Sequence, residues 1–170
     1  MRGNFILFII LIFTQIFVLN KMLFFDYILI SPYLLALILY PYYKDSILNL
    51  FIGFILGILL DIFNDSLGLY ALISIIIIYF KNSWVLKIIG NDKANEITLL
   101  SIFNLGKLNF FNYSFPVIIL YYLLIIIFEF NVFFSFDNFL TLTFSSVSTY
   151  FVMVLLQYLF LKSDQKNEWR

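Results

Sequence analysis

Three residues of the sequence combine spacing and chemistry in a way that could form a site. Gly53, Gly57 and Asp61 are four residues apart, so on a helix they lie along one face. Small residues at this spacing let a second helix approach closely, and a carboxylate in an apolar helix usually faces protein or water. Asp61 could therefore cap or bond the end of a neighbouring helix, or it could bind a proton or a cation. We favour the first interpretation, because the sequence fixes no second carboxylate and no basic partner beside Asp61.

The residue types that most catalytic centres need are absent from the sequence. It contains no Cys and no His, which removes thiolate chemistry, the commonest general base and the commonest metal ligand. It has no phosphate-binding loop and no dinucleotide fingerprint. With ten basic and ten acidic residues and no basic run, a nucleic-acid partner is not expected. The sequence therefore predicts a protein that is not an enzyme, with no catalytic, cofactor-binding or metal-binding residues.

The elements that must position these residues are predicted to be membrane helices. Apolar residues make up 64% of the chain and charged residues 12%, which leaves too little polar material to cover a soluble globule. A membrane span needs about 20 mostly apolar residues, and six segments qualify or come close: 4–20, 27–43, 47–63, 67–80, 114–130 and 139–161. We predict an all-α membrane protein, a six-transmembrane-helix bundle, with a single domain over residues 1–161 and a short cytoplasmic tail over 162–170. A five-helix model that fuses or drops the short fourth span is the alternative.

The first predicted span has some features of a signal peptide. Arg2 precedes an apolar run over residues 5–19. However, Val18, Leu19 and Asn20 do not supply the small residues of a cleavage site, and further apolar spans follow at once. We therefore expect this segment to be retained as the first helix.

Residues 81–113 separate the fourth and fifth predicted spans and are more polar than either. Lys81, Lys87 and Lys107 fall in this segment, and Trp84 is a residue type that anchors helices at membrane surfaces. We predict a cytoplasmic interfacial segment, in which residues 83–89 could lie flat on the membrane.

The distribution of Lys and Arg predicts the orientation. With the N-terminus inside, the inner segments hold nine of the ten basic residues and the outer segments hold only Lys21. This bias requires an even number of spans and places both termini in the cytoplasm. On this map Asp65 and Glu129 lie near the outer side, as possible polar contacts, and Gly68 serves the tight turn into the fourth span.

The stretch from Gly53 to Ala71 resembles the hallmark segment of the rod shape-determining protein MreD family. That segment has the form G-F-x-x-G-x-x-x-D, followed after a short turn by L-G and then by Ala, and it matches Gly53, Gly57, Asp61, Gly68 and Ala71. The segments 26–33 and 39–42 around the second span also resemble the family, and the segments 104–113 and 128–130 resemble its versions from Bacteroidetes-type bacteria. The chain departs from the family at Tyr70, where a His or Asn often precedes the Ala.

The resemblance implies a function and a set of partners. MreD-like proteins are non-enzymatic inner-membrane scaffolds of the cell-elongation machinery that bind the bitopic protein MreC and support peptidoglycan synthesis and rod shape. Through MreC they influence the SEDS-type glycosyltransferase and the class B penicillin-binding transpeptidase. The resemblance also implies a fold similar to the substrate-binding subunit (S-component) of ECF-type vitamin transporters, and such a subunit is the alternative function. Gly53, Gly57, Asp61, Gly68 and Ala71 are the predicted residues for helix packing or partner contact.

Overall fold

The computed structural model describes residues 28–40, 47–90, 93–94, 97, 99–129 and 135–161. This part of the chain is all-helical and forms no β-strand. The helices run in the order α1 (Tyr33–Leu39), α2 (Ile47–Asn64), α3 (Leu69–Ile89), α4 (Ile102–Leu105), α5 (Lys107–Glu129) and α6 (Phe136–Phe160). The predicted first span, 4–20, and the predicted tail, 162–170, lie outside the described residues.

Four of the described helices are long and apolar enough to cross a membrane. They are α2, α3, α5 and α6, with 18, 21, 23 and 25 residues, against a need for about 20. They expose large apolar side chains, such as Tyr79, Phe144 and Phe151, and extended apolar surface of this kind marks contact with lipid. The chain is therefore a multi-pass membrane protein, which confirms the all-α membrane class. The six-helix count and the similarity to the ECF subunit stay predictions.

The predicted second span, 27–43, takes a different form. Within its described part, only Tyr33–Leu39 is helical, and all seven residues of this helix are buried. Residues 28–31 before it are not helical. Pro32 explains the break, because proline has no backbone N–H and disfavours helical backbone in the residue before it. Pro32 therefore precedes a short buried helix, where a full membrane span was predicted.

The predicted interfacial segment, 81–113, is mostly helix at both of its ends. Residues 81–89 continue α3, which reaches Ile89 and not residue 80, and residues 107–113 are the start of α5, predicted to begin at 114. Residues 83–89 therefore continue α3 and do not form a separate helix. Lys81 suggested a helix end, but its side chain is buried inside the bundle. Since α3 is a separate long helix, the fourth span is neither fused with its neighbour nor dropped.

The remaining predicted ends differ from the structure by a few residues. The span predicted at 47–63 is α2, Ile47–Asn64; the fifth ends at Glu129; and the span predicted at 139–161 is α6, Phe136–Phe160. Helices α2 and α3 form an antiparallel hairpin, α3 packs on α5, and α5 packs on α6. The core lies where α1 meets these helices. We call the end of the bundle that carries residues 65–68 the turn end.

Candidate functional site

Asp61 lies at the turn end of α2 and binds the beginning of α3. Its Oδ1 accepts a hydrogen bond from the Tyr70 backbone N–H at 2.9 Å, and its Oδ2 accepts one from the Ala71 N–H at 2.9 Å. The Ser66 hydroxyl donates to Oδ1 at 2.5 Å. Tyr70 and Ala71 are in the first turn of α3, where backbone N–H groups have no partner within the helix. The carboxylate therefore caps α3 and offsets the positive end of its dipole.

The chain between the two helices is shaped to bring Asp61 to this position. Asp65 has a positive φ of 53°, and the Ser66 N–H donates to the Asp61 carbonyl oxygen at 3.2 Å, as in a Schellman ending of a helix. Gly68 precedes α3 with a φ of 87° and has no side chain to cap it. Asp61 supplies the acceptor that Gly68 lacks, from the neighbouring helix.

Gly57 and Gly53 let α3 lie directly on α2. A Cβ atom on Gly57 would lie 2.6 Å from the Ala71 nitrogen and 2.6 Å from the Tyr70 carbonyl oxygen, and it would also collide with the Ala71 Cα. A Cβ atom on Gly53 would collide with the Ile78 Cδ1. The structure thus brings Gly53, Gly57 and Asp61 of α2 and Ala71 of α3 to the contact between the two helices. Gly68 completes the turn beside them.

This geometry fits the packing interpretation of Asp61. All three donors to its carboxylate belong to the turn or to the start of α3, and the side chain is only 7% exposed. Within the described part of the chain, no group of three or more acidic, His or Cys side chains could hold a metal ion. The hydrogen bonds of Asp61 thus hold the end of α2 to the beginning of α3.

A cavity of about 540 Å³ opens at the turn end. Asp65 and Glu129, which the sequence suggested as outer-face contacts, both line it, although Asp65 lies in the turn after α2 and Glu129 ends α5. The other lining residues are Asn64, Ser66, Leu67, Gly68, Leu69, Tyr70, Leu72 and Phe128.

The C-terminal end of α1 is held by side chains that the sequence did not single out. Lys81 Nζ donates to the carbonyl oxygens of Leu37 at 2.9 Å and Tyr40 at 2.7 Å. The Tyr113 hydroxyl donates to the Ile38 carbonyl oxygen at 2.9 Å. The last carbonyls of a helix have no partner within it, so these contacts let a seven-residue helix end inside the bundle.

The non-helical segment before α1 is held in the same way. The Tyr122 hydroxyl donates to the Leu29 carbonyl oxygen at 2.8 Å. On α6, Ser145 Oγ accepts from the Leu29 N–H at 2.9 Å, and Thr149 Oγ1 accepts from the Ser31 N–H at 3.3 Å. Non-helical backbone at membrane depth needs such partners. The sequence did contain a signal for this arrangement. Pro32 lies within a predicted span, and Ser145 and Thr149 lie four residues apart on another.

No family model matches the chain, and no curated protein or solved structure shows significant similarity to it. Its own residues and their geometry are therefore the basis for a function.

Proposed function

We propose that this chain is a non-enzymatic scaffold of the cell-elongation machinery in the bacterial inner membrane. It would bind an MreC-like bitopic protein and, through it, the SEDS glycosyltransferase and the class B transpeptidase that build peptidoglycan. The observation that carries the proposal is that the residues of the MreD-like segment act as one unit. Gly57, Asp61 and Ala71 meet in the α2–α3 hairpin, so the resemblance concerns a folded element and not only an apolar composition.

The same unit argues for a scaffold in preference to an ion pathway. A proton or cation site needs acceptor capacity that is free to bind its ligand, but the Asp61 carboxylate already accepts three hydrogen bonds. A rigid hairpin with an apolar outer face is suited to contact a partner helix, since helix association in lipid depends on close packing. On α2 this face includes Phe51, Phe54 and Ile55, which are exposed.

Co-purification tests the proposed partnership. The full chain is co-expressed with the MreC-like protein encoded in the same genome, solubilised in a mild detergent and captured by a tag on the MreC-like protein. We expect the chain to be retained. As a control, the membrane helix of the MreC-like protein is replaced by a polyleucine helix, which should abolish retention if the contact is specific. Failure of the unmodified pair to co-purify would contradict the partnership.

The turn-end cavity favours one alternative, a substrate-binding subunit of an ECF-type vitamin transporter. Its volume of about 540 Å³ lies within the range of small-molecule sites. A native mass spectrum of the purified protein tests this alternative. A bound vitamin would support the transporter subunit, whereas retention by the MreC-like protein without any bound vitamin would support the scaffold.

A further inference from the structure

Among the residues that the structure describes, two buried hydroxyl groups make no hydrogen bond of ordinary geometry. They belong to Tyr33 on α1 and Ser74 on α3, whose exposed fractions are 1% and 0%. The side chains of Ser74 and Tyr121 lie close to the Tyr33 hydroxyl, and the Tyr33 and Tyr121 rings meet edge to face with centroids 5.7 Å apart. An unpaired buried hydroxyl costs free energy, so these groups require a partner.

Ser74 differs from four other hydroxyls within the described helices. A Ser or Thr within a helix commonly donates to the carbonyl oxygen four residues earlier. Ser83, Ser114, Thr143 and Ser146 all do so. Ser74 makes no such bond, and its hydroxyl is therefore available to a group inside the bundle.

We propose that Tyr33 and Ser74 together bind a water molecule in the core of the membrane domain, with Tyr121 as the third side of the site. The groups that interact with the Tyr33 hydroxyl in the described residues are all neutral hydroxyls, from Ser74 and three tyrosines. Each can donate or accept, and a buried water typically makes about three hydrogen bonds to groups that lack a partner. Water fits this set, because a charged ligand would have no opposite charge there.

Radiolytic footprinting tests the site on the unmodified protein. A short X-ray pulse produces hydroxyl radicals from water, including bound water, and mass spectrometry locates the oxidised side chains. We expect Tyr33 to be labelled despite its burial, at a rate several-fold above that of a buried tyrosine whose hydroxyl has a protein partner. Tyr113 is the matched control, because it is equally buried and its hydroxyl is bound to the Ile38 carbonyl. A Tyr33 rate as low as that of Tyr113 would overturn the proposal.

A variant identifies the ligands of the water. Ser74→Ala removes one hydroxyl of the site, so the labelling of Tyr33 should fall to the level of Tyr113 while that of Tyr79 stays unchanged. Ser114→Ala is the control, since its hydroxyl bonds within its own helix, and it should leave the Tyr33 label intact. Persistence of the label in Ser74→Ala would exclude Ser74 from the site and refute the proposal as stated. If Ser74→Ala fails to fold, the comparison of the Tyr33 and Tyr113 labelling rates in the unmodified protein still tests whether water is bound at Tyr33.

Discussion

Replacement of Gly57 by Ala should separate the two helices of the hairpin. The added Cβ would lie 2.6 Å from the Ala71 nitrogen and the Tyr70 carbonyl oxygen. Both are backbone atoms, so no change of side-chain conformation can relieve the contact. To bring these two contacts to an ordinary 3.4 Å, α3 must move at least about 0.8 Å away from α2.

This displacement also breaks the cap on α3. The hydrogen bonds from Tyr70 and Ala71 to Asp61 are 2.9 Å long, and a lengthening of about 0.8 Å takes them beyond hydrogen-bond range. Overpacking costs about 1–3 kcal/mol, and each lost hydrogen bond to a charged group costs about 1.5–3 kcal/mol. We therefore expect Gly57→Ala to lower the free energy of unfolding by about 3 kcal/mol or more.

Gly53→Ala provides the comparison for this prediction. Its Cβ would meet the Ile78 Cδ1, the end of a flexible side chain, so the cost should be only about 1 kcal/mol. The second substitution Ile78→Val removes that atom and should rescue Gly53→Ala but not Gly57→Ala. Unfolding by SDS in mixed micelles, followed by the fluorescence of Trp84 in a Trp169→Phe background, measures all four variants. Equal costs for the two glycine substitutions, or rescue of both by Ile78→Val, would refute the reasoning.

Two further substitutions test the contacts that hold the helix ends. Asp61→Asn replaces a carboxylate by an amide, whose NH₂ group cannot accept a hydrogen bond from α3. It should lower the free energy of unfolding by about 1–2 kcal/mol and reduce accumulation of the protein in the membrane. Normal accumulation with loss of function would instead indicate a proton site. Lys81→Met removes the donor to Leu37 and Tyr40 and should cost about 1–3 kcal/mol in the same SDS titration. Its control Lys87→Met, at an exposed lysine of the same helix, should stay within about 0.5 kcal/mol of the unmodified protein.

The sequence was informative where local spacing determines the contact. Gly53, Gly57 and Asp61 follow each other at intervals of four residues. The α3 residues that they contact begin only a few positions later, after the turn that contains Gly68. A hairpin with so short a connection leaves its two helices little choice of neighbour. The same holds for the membrane class, which follows from apolar content along each segment.

The sequence was uninformative where the partner is distant in the chain. Lys81 suggested the end of a span, because a lysine in lipid is costly, but that cost disappears when the amine binds carbonyls 41 and 44 residues away. Likewise, Thr149 and Ser31 are separated by 118 positions, so no local pattern connects them. Asp65 and Glu129 were both named from their place near helix ends, and only the fold shows that they line one cavity.

The way α1 is held has a consequence for synthesis of the chain. The N–H of Ser31 receives its acceptor from residue 149, and the Leu29 N–H receives its acceptor from residue 145. During translation, these groups leave the ribosome more than a hundred residues before their acceptors do. A helix of seven residues is also too short to remain across a bilayer alone. The segment around α1 can therefore reach its final position only after α6, the last of the described membrane helices, has been inserted.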